Sequence, residues 1–292
     1  MKTRVLLLGS NGMLGSACKK ILLNSSSIEL FSTAKIPISN NIKFDAEKES
    51  IEDLVSQINP KWIINCIGLI KSRINEKSIN SVNAAIQINS LFPLKLGFLA
   101  DQFDINLIQI ATDCVFNGSR GNYNENDAHD AKDIYGKTKS LGEYQGKNIL
   151  IIRSSIIGHE IENKNSLLEW FLAHNKNSTL NGFINHHWNG VTTYHFAKLC
   201  LNIIEQDSLI SGNFHLVPKN KVTKFQLLQT LKNEYQRQDL NIIEAKATEN
   251  IDRVLSTAYP KINNNFWQLM GYSSALTIEE MISESSKFFI NR

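Results

Sequence analysis

Short apolar runs and longer amphipathic stretches alternate through the first half of this 292-residue chain. The runs Arg4–Leu8, Ile28–Ser32, Ile42–Phe44, Trp62–Ile67, Leu107–Ala111 and Leu150–Arg153 are rich in Val, Ile, Leu and Phe. Most are apolar at successive positions rather than at every second one, as in strands covered on both faces. Helical spacing follows Gly12, Glu47, Ser78, Tyr135 and Ser166. Strands separated by helices in this way predict a doubly wound parallel α/β sheet.

Beyond Ile157 the alternation loosens. A helix at Thr193–Glu205 and a strand at Phe214–Val217 are expected to return to the sheet, while helical patterns at Lys224–Arg237 and Thr277–Phe289 fit a smaller lobe. The expected division is a first domain at 1–157 with a return segment at 190–218, and the remaining parts of 158–292 as a smaller α/β lobe. Pro93 should kink or break the helix patterned over Ile88–Ala100, because it lacks an N–H and clashes with the preceding turn. The stretch Asn117–Asp133 is long enough to be a functional loop.

Composition narrows the classes. Hydrophobic residues at 42% and charged residues at 20% are ordinary globular values, and a dispersed net charge of +3 points to neither nucleic acid nor membrane. No apolar run approaches the roughly 18 residues of a membrane span, and Gly9 interrupts the first run well short of a signal peptide. Cys18, Cys66, Cys114 and Cys200 lack metal or disulfide spacing, so reduced thiols in a cytoplasmic protein are expected. His186 and His187 likewise lack metal-ligand companions, and no metal site is expected.

Directly after the first strand comes GSNGMLG, residues 9–15, with Gly9, Gly12 and Gly15 spaced GxxGxxG. Glycines there permit a sharp turn and close backbone approach to a diphosphate, and the free N–H groups of the next helix face it. Between a terminal strand and a helix, this is a Rossmann-like dinucleotide loop, with Asn11, Met13 and Leu14 among its contacts. The second strand ends IELFSTAK, where Ser32, Thr33 and Lys35 follow Phe31 and no acid does. An acid there would hold a ribose 2′-OH, so its absence predicts NADPH rather than NADH. Asp45, followed by Ala46, can accept from an adenine amino group or cap the next helix, and the two roles are compatible.

Chemistry is expected at the carboxyl end of the fifth strand, where Thr112 lies. Tyr135 and Lys139 are four apart at a helix start and share one face. Reducing a ketone by hydride transfer places negative charge on its oxygen, which must be stabilised and protonated. A phenol with a pKa near 10 can serve if an ammonium lowers that value, and a threonine hydroxyl can bind the same oxygen.

GSNGMLG, INCIG from Ile64, INSLFPLKL from Ile88, ATDCVFNG from Ala111, YGKTKSLGE from Tyr135 and IIRSSIIG from Ile151 together resemble the extended short-chain dehydrogenase/reductases. The order Thr-Asp-x-Val-Phe-x-Gly, Tyr-Gly-x-x-Lys, Gly-Glu is similar to the dTDP-4-dehydrorhamnose reductase branch, whose members act on nucleotide-linked 4-keto-6-deoxy sugars. The resemblance implies Thr112, Tyr135 and Lys139 as catalytic residues, Gly9 to Gly15 as the phosphate loop and Asp45 at the adenine. It also implies Cys66, Ile67 and Gly68 beneath the nicotinamide ribose, Ser154 and Ser155 near the carboxamide, and Asp113 and Cys114 beside the sugar. Asn89 matches a family asparagine whose role is structural or catalytic. Two departures stand out: Cys114 occupies a position that is usually tyrosine, and DAHDAKDIYG lacks a proline common before the tyrosine.

On the substrate side, Trp188 fits sugar stacking or core packing, and Arg253 fits a diphosphate contact or a surface ion pair. Lys71 and Arg73 could meet a phosphate or stay solvated, and Glu125 and Asp127 read as loop and cap carboxylates. The expected function is NADPH-dependent reduction of a nucleotide-linked 4-keto-6-deoxy sugar for a surface polysaccharide. Alternatives are a reductase or epimerase acting on another nucleotide sugar, or a non-catalytic NADP-binding subunit resembling the methionine adenosyltransferase β subunit. A homodimer is the base-rate expectation for assembly.

Overall fold

The computed structural model describes residues 1–38, 40–161 and 166–290. Its first half runs β1 (Thr3–Leu8), α1 (Met13–Leu22), β2 (Ile28–Ala34), β3 (Ile42–Lys43), α2 (Ile51–Ile58), β4 (Trp62–Asn65), α3 (Ile79–Ile86), α4 (Phe92–Phe103), β5 (Asn106–Ala111), α5 (Ile134–Leu141) and β6 (Ile149–Arg153). The second half continues with β7 (Ile156–Ile157), α6 (Leu167–Leu172), β8 (Thr179–Phe183), β9 (His186–Trp188), β10 (Val191–Thr192), α7 (Thr193–Glu205) and β11 (Gly212–His215). It ends with β12 (Val222–Thr223), α8 (Lys224–Glu234), β13 (Asn241–Ala245), β14 (Ile251–Asp252), α9 (Pro260–Leu269) and α10 (Ile278–Ile290).

Seven strands form one sheet in the order β11-β6-β5-β4-β1-β2-β3, and every neighbouring pair is parallel. The chain moves outward from β1 to β3 and then crosses back to β4. The carboxyl ends of β1 and β4 therefore flank the switch point at which open α/β sheets bind ligands. Successive strand residues feed opposite faces. Leu7, Ile64, Ile108 and Leu150 pack with Cys18 of α1 and Leu199 of α7. Leu6, Ile63, Leu107 and Ile151 pack with Val55 of α2 and Leu96 of α4. Double-sided burial explains the unbroken apolar runs, and truncating such a residue, as in Leu6→Ala, costs about 2–5 kcal/mol.

Two boundaries that bear on the site differ from the sequence reading. β2 continues two residues past Ser32 to Ala34, because Thr33 and Ala34 pair with Ile42 and Lys43 of β3, so Thr33 lies inside the strand rather than after it. β4 stops at Asn65, which leaves Cys66, Ile67 and Gly68 in the turn that follows. At Pro93 the helical path changes type instead of breaking: a π-helical stretch, Gln87–Leu91, leads into α4 with Pro93 in its first turn, where a missing N–H is tolerated.

The remaining strands form small sheets, β12-β9-β14, β13-β8 and β10-β7. The loop 117–133 is tied to them: Tyr123 bridges to Leu255 and stacks on Phe116 with centroids 4.4 Å apart. All four cysteines are free. Among the described residues no helix is long and apolar enough to cross a membrane, and no His, Cys, Asp and Glu side chains gather as a metal site.

Candidate active site

The glycine loop has the geometry its spacing implies. Gly9 has φ of 78°, and a Cβ there would lie 2.9 Å from Ile67 Cγ1. A Cβ on Gly15 would lie 2.1 Å from the Gly9 carbonyl oxygen, so only glycine lets α1 pack this tightly. Gly12 caps α1 without a side chain, which leaves the positive end of the helix clear for an anion. Beside it opens a cavity of about 400 Å³ lined by Asn11, Lys35, Asp45, Ala46, Ile67, Gly68 and Arg73 among others.

At the ribose end, Ser32 Oγ donates to Asn41 Oδ1 at 2.7 Å, and the Gly9 N–H points at Thr33 Oγ1 at 3.4 Å. Both side chains are buried and brace the loop. Lys35 is the exposed cation beyond the strand, 2.8 Å from Glu47 and 3.3 Å from Asp45. Asp45 also accepts from the Glu47 N–H at 3.1 Å, so it closes the turn after β3. Glu29, the one acid of β2, lies 3.4 Å from Arg4 near the opposite end of the strand. Arg73 adds a second cation to this cavity.

Thr112 ends β5 and starts a single 3-10 turn, Asp113–Val115. Its Oγ1 accepts from Cys114 N at 3.1 Å and donates to Asp113 Oδ1 at 3.2 Å. Facing it, α5 begins at an Asp133 cap that accepts from Gly136 N at 2.8 Å. Asp133 also pairs with Lys71 at 2.8 Å, and Glu76 accepts from Ile134 N at 2.8 Å. This end of the helix is thus fixed from three directions. Lys139, one turn after Tyr135, is buried and donates to the Ile110 carbonyl at 3.1 Å. A Cβ on Gly68 would stand 4.0 Å from its Nζ, which places the ammonium beside the turn after β4.

Asn89 clamps that turn in both directions: it accepts from Leu69 N at 2.8 Å and donates to the Leu69 carbonyl at 2.9 Å. It reaches Thr138 Oγ1 of α5 at 3.3 Å as well, which makes it a structural link between the β4 turn and the Tyr135 helix.

The electrostatics differ from the sequence expectation in one respect. Burial, reinforced by Cys114, Asp113 and Asp133, raises the Tyr135 phenol well above its ordinary value, while hydrogen bonding to Thr112 opposes the shift. The ammonium of Lys139 rests on the Ile110 carbonyl, and its own pKa is lowered by burial. Tyr135 is therefore a firmly protonated donor. Burial also raises Asp113 and pushes the Cys114 thiol up to about 12, so Cys114 is a neutral group and no nucleophile.

Trp188 lies in the core, with Nε1 donating to Ser155 Oγ at 2.8 Å. Ser154 Oγ donates to carbonyls of Ser155 and Leu216. Arg253 donates from Nε to the Phe116 carbonyl at 2.9 Å and lines a cavity of about 510 Å³ with Lys71, Lys132 and Asp133. Glu125 accepts from the N–H groups of His215 and Ala258, and Asp127 accepts from Asn124 N; both hold loops. Sequence reasoning missed Asp133, whose signal was the cap position two residues before Tyr135, and Lys224, whose charge interacts with those of Asp113 and Cys114 from the second half and which carries no motif.

Residues 3–282 match the family model for the RmlD substrate binding domain. The rat methionine adenosyltransferase 2 subunit beta is 25% identical over 237 residues, 77% of this chain and 70% of that protein. The Bacillus subtilis spore coat polysaccharide biosynthesis protein SpsK is 30% identical over 164 residues, 54% of each. The crystal structure of dTDP-4-dehydrorhamnose reductase from Bacillus anthracis, in complex with NADP, superposes over all of both chains with a TM-score of 0.77 at 18% identity. With its fold, glycine loop and Tyr135 helix in place and the family model spanning nearly its whole length, the chain belongs to the RmlD substrate binding domain family.

Proposed function

We propose that this protein is an oxidoreductase that uses NADPH to reduce the keto group of a nucleotide-linked 4-keto-6-deoxy sugar. The observation that carries the reading is the meeting of Thr112, Tyr135 and Lys139 at the carboxyl end of β5, next to a glycine cradle that a single Cβ would fill. Family membership and the dTDP-4-dehydrorhamnose reductases among the similar structures support it.

The cradle suits a dinucleotide. Backbone N–H groups at the start of α1 would hold the diphosphate, Asp45 the adenine, and Lys35 and Arg73 a 2′-phosphate. When bound, the cofactor supplies the hydride. Thr112 Oγ1 donates to the substrate's keto oxygen, and Tyr135 delivers its phenolic proton as negative charge develops there. Lys139 shifts from the Ile110 carbonyl toward the ribose hydroxyls and offsets the charge left on the phenol. Ser154 and Ser155 stand at the end of β6 as supports for the nicotinamide side.

Reaction of NADPH deuterated at C4 with dTDP-4-dehydrorhamnose tests this reading: deuterium must appear on sugar carbon 4. The likeness to the methionine adenosyltransferase β subunits favours a second reading, a partner protein that binds NADP without turnover. Tight NADPH binding with no deuterium transfer to any 4-keto sugar nucleotide would select it.

A further inference from the structure

Lys224 is the first residue of α8, following a Thr223 cap closed by Gln226. That is an unfavourable place for a cation, since the positive end of the helix dipole lies there. Burial lowers the lysine's pKa further, and only Asp113 and Cys114 act in the other direction. Its Nζ lies 5.8 Å from the centroid of the Trp188 ring, and among the described residues no carboxylate lies within ion-pair distance. A partly desolvated ammonium at a helix start without a paired carboxylate is unfavourable, and a Trp188 ring at the edge of cation–π range offsets little of that cost. Such groups belong to sites.

The surroundings say what kind of ligand it meets. Asp113 is a half-buried carboxylate engaged by Thr112 Oγ1 and, at 3.6 Å, by Cys114 Sγ. Lys224 and Arg253 each follow a residue paired with His187, Thr223 on one side of β9 and Asp252 on the other, and both charges act on Asp113. A donor with three hydrogens beside an acceptor with spare lone pairs matches hydroxyl groups, each of which both accepts and donates. A diphosphate fits this spot poorly because the Asp113 carboxylate repels it. The cavity that holds Lys71, Lys132 and Arg253 is the better place for phosphates.

Resting on the reductase reading, we propose that Lys224 is a substrate-positioning residue: Nζ donates to a ring hydroxyl of the hexose, Asp113 accepts from that hydroxyl or its neighbour, and the keto carbon is thereby presented to Thr112 and Tyr135. The second half of the chain then contributes a direct sugar contact, and the hexose must carry a hydroxyl next to its keto carbon.

The test compares wild type, Lys224→Met and Lys224→Arg, each with NADP⁺ present. Calorimetry measures the affinity of dTDP-glucose and UDP-glucose against dTDP and UDP, and steady-state kinetics follows a 4-keto-6-deoxy sugar nucleotide. Lys224→Met is expected to weaken the sugar nucleotide by about tenfold to a hundredfold, the usual worth of a charged hydrogen bond, while leaving the bare diphosphate unchanged. KM for the keto sugar should rise, Lys224→Arg should recover part of the loss, and the unfolding temperature of Lys224→Met should hold or rise. Equal weakening of diphosphate and sugar nucleotide, no weakening of either, a lowered unfolding temperature, or a wild type that binds none of the four ligands would each overturn the proposal. If Lys224-dependent sugar binding appears while no keto sugar is turned over, the reductase reading fails and the sugar contact stands.

Discussion

A Cβ added to Gly136 would stand 2.2 Å from the carbonyl oxygen of Cys114. Gly136 follows Tyr135 directly, so this approach sets the separation between the phenol and the turn that carries Thr112. Gly136→Ala should cost about 1–3 kcal/mol through overpacking and reduce turnover by displacing Tyr135 from Thr112. Chemical denaturation and steady-state rates on one preparation check both effects; unchanged turnover would mean that the packing does not position the acid.

The pH profile should report Lys139 before Tyr135. Burial lowers the ammonium's pKa and raises the phenol's, so on going alkaline the lysine loses its proton first. Reduction should decline as pH rises through the depressed lysine pKa. In Lys139→Arg, which keeps its charge, the decline should move to higher pH at a lower overall rate. Measuring kcat/KM for both proteins up to pH 11 decides the matter.

Cofactor choice is expected to rest on Lys35. Its ammonium sits 2.8 Å from Glu47, an exposed pair that contributes little to stability. Lys35→Ala should therefore leave the unfolding temperature within a degree or two, yet raise KM for NADPH about tenfold while barely moving KM for NADH. Equal effects on the two cofactors would relocate the 2′-phosphate, with Arg73 as the next cation in the cavity.

Acid stability should depend on Glu284, which lies 3.3 Å from buried His195 and also accepts from Tyr272. Its pKa falls from 4.5 to about 2, first through hydrogen bonding to His195. A depressed carboxylate contributes stability that is complete above its unfolded value and is lost as pH falls toward the folded one. His195, held below its ordinary 6.5 by burial, acts in the same direction, because the unfolded chain takes up that proton first. Thermal melts between pH 7 and pH 2 should show a steep fall for wild type and a shallower one for Glu284→Gln.

Much of the first half was legible because two independent signals coincided there. Leu6 and Leu7 point to opposite faces and both are fully buried, so β1 reads as an apolar run without a competing helical pattern. Gly9 and Gly15 were legible because their spacing is a steric requirement that the close approach to Ile67 and to the Gly9 carbonyl makes visible. The end of β2 was misplaced because Ser32 and Thr33 look like a polar loop, yet they hydrogen-bond inside the fold to Asn41 and the glycine loop.

The second half offers weaker signals. β8 and β13 pair across about sixty residues, and β9, β12 and β14 are two or three residues long, too short for any period to register. The sequence reading held Trp188 as core or sugar contact; its burial and its bond to Ser155 give the packing side of that pair a structural basis. Lys224 stayed invisible because nothing in a local pattern separates a half-buried lysine without a carboxylate partner from a solvated one.

The central claim is that Tyr135 protonates the keto oxygen during NADPH-dependent reduction. The most direct measurement is NADPH oxidation, followed at the nicotinamide absorbance, by wild type and Tyr135→Phe given dTDP-, UDP- and GDP-linked 4-keto-6-deoxy sugars. Wild type should turn over at least one donor, and Tyr135→Phe should lose about 10²–10⁴-fold of that rate with NADPH affinity retained. Full turnover by Tyr135→Phe would contradict it.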